Sequence, residues 1–290
     1  MTYITSRANE RVKNALKLSD KKYRQITGLF RFEGAKLLEE YLLSGEAPTE
    51  LYVREDALEK YRELVEKLDE DSVFVVTDEV YEKLTEEKSP QGLLCIGRKP
   101  KNIRNGTYEG GGIVLESVRD CGNMGTILRS AAAFGAKRVY LSKDCADVLS
   151  QKTTRAAMGA LFKTDILICD DLTKLFEAHK QNKKTPYAAM PYGDAIEIDT
   201  VKLSVDDLVV IGNEGHGVSE TVKNESCILT DLSLSPAKEP AEPGIIVYYA
   251  GGEETFWDIA KAFRADAAQF MKEDYFAHVP AGKKLLIIRH

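Results

Sequence analysis

Two short stretches carry residue types and spacings that could do chemistry. The first is Asp120-Cys121-Gly122-Asn123-Met124-Gly125-Thr126-Ile127-Leu128-Arg129-Ser130-Ala131, which follows the apolar run Gly112-Ile113-Val114-Leu115. The apolar run predicts a buried strand, and the stretch after it predicts a helix ending near Phe134-Gly135. An acid, an amide and a cation (Asp120, Asn123, Arg129) then stand at the carboxyl end of a strand, where open α/β sheets bind ligands. Gly122 and Gly125 are expected where the turn needs positive φ or a close backbone approach. The alternative is an ordinary strand-to-helix turn with a cap.

The second stretch is Leu208-Val209-Val210-Ile211-Gly212-Asn213-Glu214-Gly215-His216-Gly217-Val218-Ser219. Again an apolar strand enters a glycine-rich turn, and Ser219 is placed to cap a following helix. Three glycines within 212–217 leave bare backbone for a ligand, beside the amide of Asn213 and the carboxylate of Glu214. No Gly-Lys-Ser/Thr follows and neither stretch holds Gly-x-Gly-x-x-Gly, so the phosphate-loop and dinucleotide fingerprints are both missing.

Together the two stretches resemble the SpoU (TrmH-like) family of RNA 2′-O-ribose methyltransferases, of the SPOUT class. The family's first motif, Asp-Pro-Gly-Asn-x-Gly-Thr-Ile-x-Arg-Thr-Ala, is matched with Cys121 for proline and Ser130 for threonine. The second, Gly-Asn-Glu-Gly-x-Gly, is met in full from Gly212 to Gly217. Lys152, Arg155, Ala157 and Gly159-Ala160 resemble the segment between them, with Ala157 replacing serine. Residues 6–36 resemble the small substrate-binding domain fused ahead of many members, including Arg24, Gly28, Phe30, Glu33 and Gly34 of its signature. Ser89-Pro90-Gln91-Gly92 resembles that domain's close. The third motif breaks the pattern. Leu234-Ser235-Pro236 is a weak echo of its start, and no Ser-Leu-Asn element follows in residues 240–252.

The resemblance implies an α/β fold: a small amino-terminal α/β RNA-binding domain, then a SPOUT α/β domain with a parallel sheet and a carboxyl-terminal trefoil knot. It implies S-adenosyl-L-methionine as cofactor and a homodimer with the active site near the subunit interface. Transferred residue by residue, Arg129, Asn123 and Glu214 are the catalytic candidates. Gly212, Asn213, Gly215, Gly217 and Leu234 are the cofactor-binding candidates, and Arg155 joins the RNA-binding set. Arg129 is expected to orient the ribose hydroxyl and its phosphate, Asn123 to hold Arg129 or the ribose, and Glu214 to fix the loops or Asn123. Gly212 is expected to let the cofactor reach the strand end. The domain type favours ribosomal over transfer RNA by analogy.

Charge adds a second observation. The chain carries a net charge of −6, which disfavours indiscriminate nucleic-acid binding. Locally, Arg7, Arg11, Lys13, Lys17, Lys21, Lys22 and Arg24 face only Glu10 and Asp20 in the first two dozen residues. On a helix there, Val12, Ala15 and Leu16 turn inward and leave the bases outward. Arg7, Arg11, Lys13, Lys21, Lys22 and Arg24 are therefore candidate RNA contacts, against the alternative of a solvated helix face.

The elements that must position these residues follow from periodicity. Short apolar runs at 29–32, 50–53, 73–76 and 92–96 alternate with charged helical stretches. Strands are expected near Ile113, Val139, Ile166, Ala188, Val209 and Ile228, which alternate with helices and imply a mainly parallel sheet. The expected domains are 1–98 for substrate, 99–108 as linker, 109–272 for methyl transfer and 273–290 as tail. A helix is expected over 253–271, and the apolar 285–288 as an edge strand. With 290 residues and 43% hydrophobic content, two cores are within reach. The five cysteines form no CxxC pair, so neither a disulfide framework nor a zinc site is indicated. No segment resembles a signal peptide or a membrane span, so the expectation is a cytoplasmic protein with no membrane and no metal partner. Two other readings stay open: a SpoU-fold protein that binds RNA with weak or no catalysis, and an α/β enzyme using another nucleotide at the same loops.

Overall fold

The computed structural model describes residues 1–190, 195–230, 244–249, 255, 279 and 284–289. The chain forms two compact units, one of Met1–Met190 with Val201–Leu229 and the other of Pro191–Thr200 with Thr230–His290.

The first unit holds two sheets. The amino-terminal one is built from β1 (Thr2–Ile4), β2 (Leu29–Glu33), β3 (Glu50–Arg54), β4 (Val73–Val76) and β5 (Leu93–Arg98), in the order β1-β4-β3-β5-β2. It is mixed: β1, β4 and β3 run parallel, whereas β5 is antiparallel to both β3 and β2. Around it lie α1 (Glu10–Lys17), α2 (Lys21–Thr27), α3 (Ala35–Leu43), α4 (Arg62–Val65) and α5 (Asp78–Leu84). Asn9 and Asp20 cap α1 and α2 through their side-chain oxygens. Val12 and Ala15 are buried and Leu16 is half-buried, as the helical spacing predicts. β1 is an addition to the expected strands: only three residues long, it joins the edge at β4.

The second sheet is all parallel in its described pairings. It comprises β6 (Ile103–Asn105), β7 (Gly112–Leu115), β8 (Arg138–Ser142), β9 (Asp165–Cys169), β10 (Tyr187–Ala189), and, beyond β11 (Ile196–Glu197) of the other unit, β12 (Leu208–Ile211) and β13 (Cys227–Thr230). Its order is β13-β10-β12-β7-β8-β9-β6. The helices are α6 (Cys121–Ala133), α7 (Gln151–Ala157), α8 (Leu172–Gln181) and α9 (Glu220–Glu225). The apolar runs expected at 113, 139, 166, 188, 209 and 228 are all strands, because a parallel sheet covered by helices buries both faces. Residues 103–105 differ from the expected linker. They pair with β9, whose free edge Ile103 can cover with an apolar side chain that is 2% exposed.

One core joins the two sheets. Phe30 and Phe32 of β2 and Tyr41 of α3 surround Phe162, which follows α7, with ring centroids 6.4, 6.0 and 5.2 Å from it. Polar ties reinforce the junction: Arg24 to Asp147 at 2.6 Å, Lys163 to Glu40 at 2.6 Å, and Gln151 donating to Glu33 at 3.2 Å. Burial raises the Glu33 carboxyl above its ordinary range, against donated hydrogen bonds from Thr85 and Tyr81 that lower it.

In the second unit, β14 (Gly244–Tyr249) pairs antiparallel with β15 (Lys284–Arg289) from Gly244↔Arg289 to Tyr249↔Lys284. The apolar tail is thus a strand, and its partner is the Ile-Ile-Val-Tyr-Tyr run within the segment that lacks the third motif. Apart from Thr255, the expected helix over 253–271 lies outside the described residues, as do the expected knot and Leu234.

α6 lies against α7 at Gly125. This glycine has no positive φ, contrary to one expectation; it meets the other, close approach. A Cβ there would stand 2.4 Å from the Ala156 Cβ and 2.8 Å from the Thr153 carbonyl and the Ala157 nitrogen. Gly122 also lacks positive φ, and its nearest neighbour would be the Asp120 side chain at 2.9 Å. Gly125→Ala is expected to force α6 off α7 at a net cost of about 1–3 kcal/mol, more than the helix propensity alanine adds. Urea unfolding checks this; an unchanged midpoint would mean the helix pair has slack.

Candidate active site

β7 and β12 are adjacent and parallel, and both motifs begin at their carboxyl ends. From β7 the chain proceeds to β8 and β9 on one side, while β12, β10 and β13 lie on the other. The two loops therefore flank the point where strand order reverses, which is where a crevice opens in sheets of this kind.

The first loop is a helix start. Asp120 caps α6 by accepting the Asn123 N–H at 2.8 Å, and its other oxygen faces Lys152 at 3.3 Å. These contacts, the Asn123 N–H foremost, hold the Asp120 carboxyl below its ordinary range. With its N–H engaged by Asp120, Asn123 turns its side-chain amide to Glu214 and donates to Oε1 at 3.0 Å. Arg129 lies farther along α6, exposed, and makes no side-chain hydrogen bond or ion pair among the described residues. Six residues from Asn123, it sits on a different part of the helix surface, so the structure pairs Asn123 with Glu214 rather than with Arg129.

The second loop is a closed ring. The Asn213 N–H donates to the Gly217 carbonyl at 2.8 Å and the Gly217 N–H returns a bond to the Asn213 carbonyl at 2.9 Å. Inside, Asn213 Oδ1 accepts the N–H groups of Gly215 and His216 at 2.9 and 3.1 Å. Asn213 Nδ2 donates to the Ser117 carbonyl at 2.8 Å and to Glu214 at 3.2 Å. Gly212 is required by this ring: a Cβ on it would meet the Gly217 carbonyl carbon at 2.3 Å. Gly217 has φ +68° and open space beside it, so bare backbone faces outward there. Ser219 caps α9, as expected, accepting the Val222 N–H.

The spacing of the motifs gave no sign of Glu116. Its carboxylate accepts the Ser219 N–H at 2.7 Å and the Ser219 hydroxyl at 2.6 Å, locking the end of β7 to the second loop. The signal available was an acid placed directly after a buried strand. Ser117 carries φ +57°, donates its N–H to Ser142 and its hydroxyl to Asp144. A cavity of about 350 Å³ opens here between Ser117 and Arg119 on one side and Asn213, Gly217 and Val218 on the other. Its polar ring and outward glycine backbone fit a polar, adenosine-sized ligand.

The basic candidates are distributed differently from the expected open face. Arg7 pairs with Glu82 at 3.5 Å, Lys13 with Glu10 at 2.6 Å, and Arg155 with Glu87. Arg11 pairs with Glu50 at 2.5 Å and lies over the Phe74 ring. Arg24 is a correction: it is 6% exposed, spent on Asp147 and on the carbonyls of Leu18 and Ser19. The guanidinium turns inward because those acceptors, distant in sequence or at a helix end, satisfy its donors. Lys21 and Lys22 remain exposed and make no ion pair among the described residues.

Comparison with known proteins identifies this arrangement. Residues 112–238 match the model of the SpoU rRNA Methylase family, and residues 9–95 match that of the MRM3-like substrate binding domain. An uncharacterized tRNA/rRNA methyltransferase of Synechocystis sp. is 31% identical over 84% of this chain and 90% of its own length. The chain belongs to the SpoU rRNA methylase family. It is also 27% identical to the 23S rRNA (guanosine(2553)-2′-O)-methyltransferase RlmP of Bacillus subtilis, over 81% of this chain and 90% of that one. Among solved structures, the AdoMet-bound rRNA methyltransferase from Sinorhizobium meliloti superposes with a TM-score of 0.67 at 26% identity, covering 83% of this chain and 91% of that chain. The family model ends at residue 238, before β14 begins. No group of three or more His, Cys, Asp or Glu residues suited to a metal occurs among the described residues, and no helix there is long and apolar enough to cross a membrane.

The side-chain amides of Asn123 and Asn213 both donate to the Glu214 carboxylate, which ties the two loops together. Glu214→Ala is expected to leave global stability within about 1 kcal/mol, since the bonds are exposed. It should speed amide exchange at the first turn of α6 and leave the self-closed ring at 213–217 protected. Hydrogen–deuterium exchange reads this; unchanged exchange at Asn123 and Met124 would show that Asp120 alone holds that turn.

Proposed function

We propose that this protein transfers a methyl group from S-adenosyl-L-methionine to a ribose 2′-hydroxyl of RNA, with ribosomal RNA as the substrate class. The observation that carries the reading is the pair of loops at the switch point, joined through Asn123, Glu214 and Asn213, with an unpaired Arg129 on the same helix as Asn123. The rRNA methyltransferases of Bacillus subtilis and Sinorhizobium meliloti, both similar over most of the chain, support the substrate class.

Residues of the ring and its surroundings (Gly212, Asn213, Gly215, Gly217) would hold the cofactor, together with Leu234. When bound, S-adenosylmethionine supplies an electrophilic methyl group on a positively charged sulfur. The chain's own task is to place the hydroxyl in line and to ease departure of its proton. The two carboxylates nearest the first loop are poor proton acceptors. Hydrogen bonds, from the Asn123 N–H to Asp120 and from the Asn123 amide to Glu214, hold both below their ordinary range. Their work is positional: Asp120 starts the helix, and Glu214 links the loops. Arg129 is left as an unspent cation. An arginine is a very poor base, so its part is to attract the phosphate beside the target ribose and to orient the hydroxyl.

The amino-terminal sheet, residues 1–98, serves as the RNA-binding domain in this reading, and residues 109–272 as the methyltransferase domain. A homodimer is proposed as well; Phe134, 91% exposed at the end of α6, supports a second copy at that helix. The free cysteines suit a reducing, cytoplasmic setting.

Methyl transfer from labelled S-adenosylmethionine to unmodified ribosomal RNA tests the reading. Arg129→Ala is expected to lower turnover by about 100- to 1000-fold with cofactor affinity unchanged by calorimetry. An active Arg129→Ala enzyme would remove Arg129 from the chemistry, and a wild-type protein that binds RNA without binding cofactor would favour a non-catalytic role.

A further inference from the structure

A second cavity of the first unit lies away from the motif loops. It measures about 500 Å³ and opens where α2 and the start of the second sheet meet the carboxyl ends of β8 and β9. One wall is apolar, formed by Leu141, Val148, Leu149 and Ile168. Two of the charged pairs at the cavity are internally matched: Arg24 holds Asp147 at 2.6 Å, and Lys143 holds Asp170 at 3.1 Å. What remains is polar and unspent. Lys21 and Lys99 are exposed and make no ion pair among the described residues, so the cavity keeps two uncompensated positive charges. The side-chain amides of Gln25 and Asn105 also line it, and neither makes a side-chain hydrogen bond among the described residues.

An apolar wall, two free amides and two free cations in a space of this size match the parts of one nucleotide. A base stacks or packs on apolar surface, amides read its edge, and ammonium groups neutralise its phosphate. We infer that this cavity is a subsite for a single unpaired nucleotide of the RNA substrate, splayed out of its strand near the nucleotide that is methylated. The inference rests on the RNA reading above and adds where specificity is set.

The cavity is tied to the reacting loops by short links. Ser142 lines it and accepts the Ser117 N–H at 2.9 Å, and the Ser117 carbonyl accepts Asn213 Nδ2 at 2.8 Å. On the other side, Leu149 leads into Ser150, which caps α7 and whose hydroxyl lies 3.5 Å from the Cys121 sulfur in the first turn of α6. A nucleotide seated against Val148 and Leu149 thus rests on the segment that fixes α7, and α7 backs α6.

The test uses the full chain and a short fluorescent single-stranded RNA of mixed sequence, with a duplex of the same length as comparison. Wild-type protein is expected to prefer the single strand. Lys21→Ala/Lys99→Ala should weaken that binding about tenfold and flatten its salt dependence by a slope of about 1.4, the share of two phosphate contacts to single strands. Gln25→Ala/Asn105→Ala should keep the salt slope and change the ranking of the four homopolymers. Cofactor binding by calorimetry should be unchanged in both variants. Wild-type-like affinity, slope and ranking in both variants, or no binding of single-stranded RNA by the wild type, would overturn the subsite. Wild-type methylation of ribosomal RNA with the same KM in both variants would also overturn it, while leaving the proposed activity standing. Loss of cofactor binding by the wild type strikes the activity instead.

Discussion

The close approach of α6 to α7 at Gly125 is the contact on which the rest of the arrangement depends. α7 is fastened to the amino-terminal domain on its far side. Gln151 reaches Glu33, Arg155 reaches Glu87, and Phe162 just beyond the helix enters the aromatic group of Phe30, Phe32 and Tyr41. α6 carries Asn123 and Arg129. Because no side chain separates the two helices at Gly125, a position fixed on the amino-terminal domain is carried to the candidate catalytic arginine through packed backbone. Dense interiors transmit such constraints because they have little room to absorb displacement. A protein that must bring a large RNA to a single hydroxyl gains from this, since a small error of placement is costly in rate.

Polar groups around the site divide into those that are used up and those that are not. Asp120, Glu116, Glu214 and Asn213 are each committed to caps or loop closures. Arg129, Lys21 and Lys99 are exposed and uncommitted. Most other cations of the first helices are neutralised locally, in keeping with a chain whose net charge is −6. RNA attraction in such a protein comes from a few unmatched charges placed where they act, rather than from an overall basic surface.

The sequence was legible where structure is local. Both motif loops, the Ser219 cap and most of the strands of the first unit could be read from apolar runs and punctuating glycines, because those signals act over a few residues. What could not be read depends on partners distant in the chain. Arg24 looked like one more outward base, and only Asp147, 123 residues away, explains its burial. Residues 103–105 looked like linker because a three-residue strand has no periodicity to detect; it exists through the free edge of β9. Gly125 could be assigned either a turn or a close approach, and its role was settled by Thr153 and Ala156 on another helix. The clamp from Glu116 to Ser219 joins residues 103 positions apart and was equally invisible.

The strand order carries a consequence for how the molecule is made. β12 lies between β7 and β10, yet it is synthesised after both. Until residues 208–211 leave the ribosome, β7 presents an open edge beside β8, β9 and β6, β10 has neither of its neighbours, and the ring at 213–217 has not yet been made. Non-local parallel pairing of this kind forms slowly, and open edges invite pairing with other chains. The crevice therefore exists only once β12 has joined β7: a nascent chain stopped short of β12 has the amino-terminal domain in hand but nothing with which to act on what it binds.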